Sequence, residues 1–138
     1  MAVVDTKAGL PNALEERLRN ESSLTVVSLC AAWCDTCNEF RAAFERIAED
    51  RPEMLFVWLD IEDDSAICGD IDVENFPTLA IYRGERLLHY GVSLPQEGTV
   101  ARLIDELATR KAVLTDAPRA VLDLPGALQR VARGGENA

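Results

Sequence analysis

Apolar residues along this chain follow two rhythms. Three runs are short and almost continuously apolar: Leu24-Thr25-Val26-Val27-Ser28-Leu29-Cys30, Met54-Leu55-Phe56-Val57-Trp58-Leu59 and Thr78-Leu79-Ala80-Ile81-Tyr82. That pattern predicts buried strands. Between them the period lengthens. Leu14 and Leu18 sit among Glu15, Glu16, Arg17 and Arg19, predicting an amphipathic helix over Leu10–Asn20. Phe40, Phe44, Ile47 and Ala48 share one face of a helix over Cys34–Asp50, and Val100, Leu103, Ile104 and Leu107 do so over Pro95–Arg110. Asp63–Ile71 reads as a short helix. Arg83-Gly84-Glu85 makes a tight turn into Arg86–Tyr90, a hairpin that Gly91 should end. The order αβαβαββα predicts parallel βαβ units followed by an antiparallel hairpin, an α/β sandwich.

The character changes after Arg110. A domain over residues 1–110 should give way to an extension over 111–138, in which Ala117–Val131 forms one or two helical turns packed on the domain. Residues 134–138 are expected to fray. At 138 residues the chain suits one domain with a substantial core and is too short for two. A formal charge of −10 argues against nucleic acid, because a phosphate backbone would be repelled; dispersed acidity serves solubility. No run approaches the roughly 20 apolar residues that cross a bilayer. The N-terminus lacks the basic-then-apolar order of a secretory signal, so a cytoplasmic location is expected, without membrane association.

In a reducing compartment a Cys-x-x-Cys pair points to catalysis or metal binding rather than to a structural staple. Cys34 and Cys37 form such a pair where a strand passes into a helix. Unpaired N–H groups and the positive dipole end at a helix start favour an anionic sulfur. One thiolate can attack a partner's disulfide, and the other can resolve the mixed disulfide. A structural zinc site would need two more ligands, and Cys30, Cys68 and His89 are the other soft candidates. Cys30 and Cys68 read better as small buried hydrophobes, with a Cys30–Cys68 disulfide as the lesser alternative. Trp58 reads as core filling, and His89 as a solvent-facing strand residue. Neither metal nor cofactor is expected.

Three separated features carry a family resemblance. Ala31-Ala32-Trp33-Cys34-Asp35-Thr36-Cys37 is similar to the active-site segment of thioredoxins. Phe76-Pro77-Thr78 resembles their cis-proline loop, and Tyr82-Arg83-Gly84-Glu85 with Tyr90-Gly91-Val92 resembles their closing hairpin. The resemblance covers roughly residues 10–110. It implies a three-layer α/β/α sandwich with a central mixed sheet, a βαβ unit followed by a ββα unit. It also implies that Cys34 is the exposed nucleophile and Cys37 the shielded resolving thiol, cycling between dithiol and disulfide. Trp33, Asp35, Thr36, Phe76, Pro77, Tyr90 and Gly91 would line the substrate groove.

The chain departs from the family's pattern in several places. Asp35-Thr36 replaces the usual Gly-Pro, setting a like charge beside Cys34. The family's buried Asp and its partner Lys correspond to Ser28 and Trp58, neither of which can relay protons near neutrality. Ala42 stands where the family's helix carries a kinking proline.

The leading expectation is a monomeric thiol–disulfide oxidoreductase that reduces protein disulfides, with electrons from a reductase or a small thiol. The alternative is a thioredoxin-like binding module, a chaperone or assembly factor whose groove holds a partner protein. Cys34→Ser separates them: lost activity with intact binding fits the enzyme, unchanged cellular function fits the module.

Overall fold

The three apolar runs lie side by side in the middle of a five-stranded sheet, where both faces are covered and alternate positions can all be apolar. The computed structural model describes residues 3–11, 13–73, 75–110 and 113–133. Its strands are β1 (Val3–Val4), β2 (Leu24–Cys30), β3 (Leu55–Asp60), β4 (Thr78–Arg83) and β5 (Arg86–Val92), ordered β1-β3-β2-β4-β5. β1, β3 and β2 run parallel; β4 and β5 are antiparallel to their neighbours. The helices are α1 (Leu14–Arg19), α2 (Asp35–Glu49), α3 (Ser65–Cys68), α4 (Glu97–Ala108), α5 (Arg119–Leu122) and α6 (Leu124–Ala132).

Strand alternation sends neighbouring side chains to opposite faces. Val26, Phe56, Leu79 and Ile81 meet Phe40, Phe44 and Ile47 of α2 and Val100 and Ile104 of α4. Val27, Leu29, Val57 and Tyr82 meet Leu14 and Leu18 of α1, Ile67 of α3, and Leu124 and Leu128 of α6. Each wholly buried leucine or phenylalanine contributes about 1.5–3 kcal/mol. Arg46 of α2 and Arg51, just past the helix end, pair with Glu97 and Asp105 of α4, both at 2.8 Å. These are surface contacts worth about 1 kcal/mol or less.

The mixed sheet with helices on both faces and a helical extension is as the pattern predicts. Five elements differ in detail. β1 is a two-residue strand, too short to leave a periodic signal. β5 does not stop at Gly91, because Gly91 and Val92 keep their pairing with Leu79 and Thr78. α1 begins only at Leu14, and α3 is four residues long, ended by Gly69 at φ 58°. Ala117–Val131 folds as two helices, each with a proline at its start, where the missing N–H costs nothing. This segment is tied to the sheet: the Tyr82 hydroxyl donates to the Val121 carbonyl at 2.6 Å, and the Leu114 N–H donates to the Leu87 carbonyl at 2.7 Å. Gln129 also donates to Glu85. The expected fraying of 134–138 falls outside the described residues.

Candidate functional site

β2 ends at Cys30, and α2 begins one residue after Cys34, so a four-residue stretch turns the chain at the end of the central strand. That turn is held at several points. Asp60, at the end of β3, accepts from the Ala32 N–H at 2.6 Å and from the Glu62 and Asp63 N–H groups at 2.8 and 2.9 Å. The Cys34 N–H donates to the Ala31 carbonyl at 3.0 Å, and the Asn38 side chain donates to the Ala32 carbonyl at 3.0 Å. Cys34 is the N-cap of α2 with extended backbone (φ −88°, ψ 113°) and is half-buried. Asp35 follows in the first turn, where its charge complements the dipole, and Thr36 beside it is exposed.

Cys37 is fully buried, and its sulfur is bonded to Cys30 rather than to Cys34. In this structure the bonded pair is therefore Cys30–Cys37 and not Cys34–Cys37, Cys30 is not an inert hydrophobe, and the Cys30–Cys68 bond is not formed. The cause is the way the strand and the helix meet. Cys37, at the third helical position, sits over the last residue of β2, with the two Cα atoms 5.9 Å apart, a separation suited to a disulfide. Cys34, at the rim, keeps a free thiol. Cys30 was missed because bonding across an element junction leaves no sequence period; the one signal was a third cysteine four residues before the pair.

Beside the turn lies the loop before β4. The Phe76–Pro77 bond is cis. The exposed ring of Trp33 meets Phe76 edge to face with centroids 5.5 Å apart, and its N–H donates to Glu62 at 3.3 Å. The structure therefore brings Trp33, Cys34, Phe76 and Pro77 to one side of the molecule. The Pro77 carbonyl accepts from the Ser93 N–H at 3.0 Å, which ties this loop to the end of β5. Tyr90 and Gly91, with Thr78 and Val92, border a shallow depression beyond it. Burial, then the nearby Asp72 carboxylate, pushes the Tyr90 phenol up. A Cβ on Gly91 would meet only the His89 ring, at an ordinary 3.8 Å, so this edge is open.

Ser28 is buried, with Oγ 3.6 Å from the Cys30 sulfur. Trp58 packs against Phe44 and Phe40 at 5.6 and 6.3 Å, with the Arg41 guanidinium 5.0 Å over its ring. His89 is not solvent-facing. Its Nε2 is buried without a hydrogen-bond partner, and burial lowers its pKa. Cys68 is buried and free, and burial, helped by Asp64 and Asp60, pushes its thiol up to about 12. Among the described residues no His, Cys, Asp and Glu side chains gather into a metal-holding group.

A mixed sheet in this order, layered by helices, with a helix-start cysteine pair beside a cis-proline loop, defines a thioredoxin fold. The Thioredoxin family model matches residues 6–106. The chain belongs to the thioredoxin family. It is similar to a thioredoxin of Ophiophagus hannah, 29% identical over 68 residues, which cover 49% of this chain and 65% of that protein. Sulfhydryl oxidase 1 of Gallus gallus is 33% identical over 75 residues, which cover 50% of this chain and 10% of that protein. These matches therefore span less than two thirds of either relative. The crystal structure of thioredoxin from Trypanosoma brucei brucei superposes with a TM-score of 0.58 at 21% identity, covering 79% of this chain and 93% of the other.

Proposed function

We propose that this protein is a thiol–disulfide oxidoreductase that reduces protein disulfides through a mixed disulfide at Cys34. The observation that carries the reading is the free, half-exposed Cys34 thiol at the start of a 15-residue helix, three residues before a buried partner and beside the Trp33–Phe76 contact. In the reduced protein the Cys34 thiolate attacks one sulfur of the substrate disulfide. The other substrate sulfur leaves as thiolate. Cys37 then attacks Cys34 and releases the first substrate sulfur. Cys34 is the N-cap of α2, the end of a helix where unpaired backbone N–H groups gather.

Trp33, Phe76 and Pro77 offer an apolar surface to an extended substrate segment, Tyr90 and Gly91 extend it, and Asp35 and Thr36 flank the nucleophile. Electrons enter from a reductase or a small thiol. No bound cofactor takes part. A monomer in the cytoplasm suits this role; among the described residues no helix is long and apolar enough to cross a membrane.

Reduction of a protein disulfide such as insulin tests the reading. Cys34→Ser should lower the rate at least about a hundredfold, since it removes the nucleophile; an unchanged rate would refute it. One observation favours the binding-module alternative. With Cys37 held by Cys30, Cys34 has no free resolving partner in this form and cannot turn a substrate over. An unchanged cellular role for Cys34→Ser would support that alternative.

A further inference from the structure

Cys37 stands between two other sulfurs. Cys30, at the end of β2, holds it from the strand side, with the Cα atoms 5.9 Å apart. Cys34 lies three residues before it at the helix start, the spacing that places two side chains next to each other on one helix face. Cys30 and Cys37 are fully buried, whereas Cys34 is accessible. Three thiols at one strand–helix junction are one more than a two-electron cycle needs.

From this juxtaposition we infer that Cys30 is a third redox residue: after each turnover it takes the disulfide from Cys34–Cys37 into the interior as Cys30–Cys37, so that the oxidised protein again presents a free Cys34. The inference rests on the redox reading of Cys34 and Cys37. The protein disulfide substrate is the oxidant that makes Cys34–Cys37. The Cys30 thiolate then attacks the Cys37 sulfur; the Cys30–Cys37 bond forms, the Cys34–Cys37 bond breaks, and the electron pair leaves on the Cys34 sulfur. The proton lost by the Cys30 thiol ends on Cys34 or in water. The protein holds one disulfide before and after, so no further oxidant is required. Re-reduction runs the step backwards, with Cys34 drawing the bond to the rim where a donor thiol reaches it.

The consequence is a nucleophile that survives oxidation. An oxidised protein sealed at Cys34–Cys37 has no accessible thiol, while one sealed at Cys30–Cys37 can capture a second disulfide. The two forms separate experimentally. The full-length protein is oxidised with diamide and labelled under native conditions with N-ethylmaleimide. Cleavage after Trp33 and before Asp35, followed by mass spectrometry, then assigns the bonded pair. Cys68 stays silent in this assay because it is buried.

The inference expects one adduct per chain, on Cys34, with Cys30 linked to Cys37. Cys30→Ser should instead close Cys34–Cys37 and lose the adduct, and Cys34→Ser should still form an internal disulfide. Oxidised wild type without an adduct, carrying Cys34–Cys37 and a free Cys30, would overturn the inference and leave the redox reading standing. A Cys34→Ser protein that reduces disulfides as fast as wild type would overturn the redox reading and the inference with it.

Discussion

The start of α2 and the end of α3 each hold a buried cysteine, and only one of them is placed for chemistry. Cys37 lies in the first turn of a 15-residue helix, with a free Cys34 at the rim and a bonded Cys30 beneath. Cys68 closes a four-residue helix under α6, facing the carboxylates of Asp60 and Asp64, and its thiol is pushed up to about 12. A helix start presents N–H groups to an anionic sulfur, while a helix end presents carbonyls. A cysteine's reactivity thus follows from which end of which helix it occupies and whether a partner sulfur is near, and burial alone does not decide it.

The largest effect should separate the two regions outright. Cys34→Ser removes the nucleophile, with the hundredfold or greater loss of disulfide reduction given above, and Cys68→Ser should leave the rate unchanged. A Cys68→Ser protein as inactive as Cys34→Ser would break the comparison. Next, the burial of Cys68 depends on the α6 layer. Leu128 is fully buried there, so Leu128→Ala should cost about 2–5 kcal/mol in a denaturant titration and raise the native labelling rate of Cys68 more than that of Cys34. Equal changes at both sites would mean that the α6 layer does not shield Cys68 selectively.

A smaller effect concerns what fastens that layer. Tyr82→Phe deletes the hydroxyl that satisfies the Val121 carbonyl and should cost about 1–3 kcal/mol of stability with unaltered disulfide reduction. Smaller still is a pH effect on the α2 side of the sheet. Burial depresses the pKa of His89, so the unfolded chain binds its proton more readily than the folded one. That contribution to stability is present above about pH 6.5 and is lost as pH falls toward the lower folded value. His89→Leu should flatten the slope of unfolding free energy between pH 7 and pH 5; an unchanged slope would place the titrating group elsewhere.

Much of this was legible in the sequence, for physical reasons that differ by element. α2 could be read because Phe40, Phe44 and Ile47 repeat along one long helix, and β2, β3 and β4 because covered faces demand apolar residues at nearly every position. The layer made of α1, α3, α5 and α6 was less clear, since helices of four to nine residues give too few turns to show a period. Pro118 and Pro125 stand at helix starts, where a missing N–H costs nothing. Gly91 looked like a strand end and stays in the ladder, because pairing with Leu79 depends on backbone groups that glycine retains. At the site, Cys34, Trp33 and the Phe76–Pro77 loop stood out through local motifs. The Cys30–Cys37 bond did not, since it depends on how the end of a strand meets the first turn of a helix, which is a property of packing.

The account's central claim is that Cys34 takes a substrate sulfur into a covalent bond. A Cys30→Ser/Cys37→Ser protein, which keeps Cys34 and Cys68, can be mixed with a disulfide-bonded protein substrate and followed by intact mass and peptide mapping. The account predicts a stable mixed disulfide located on Cys34, with Cys68 free. The absence of an adduct, or one located on Cys68, would contradict it.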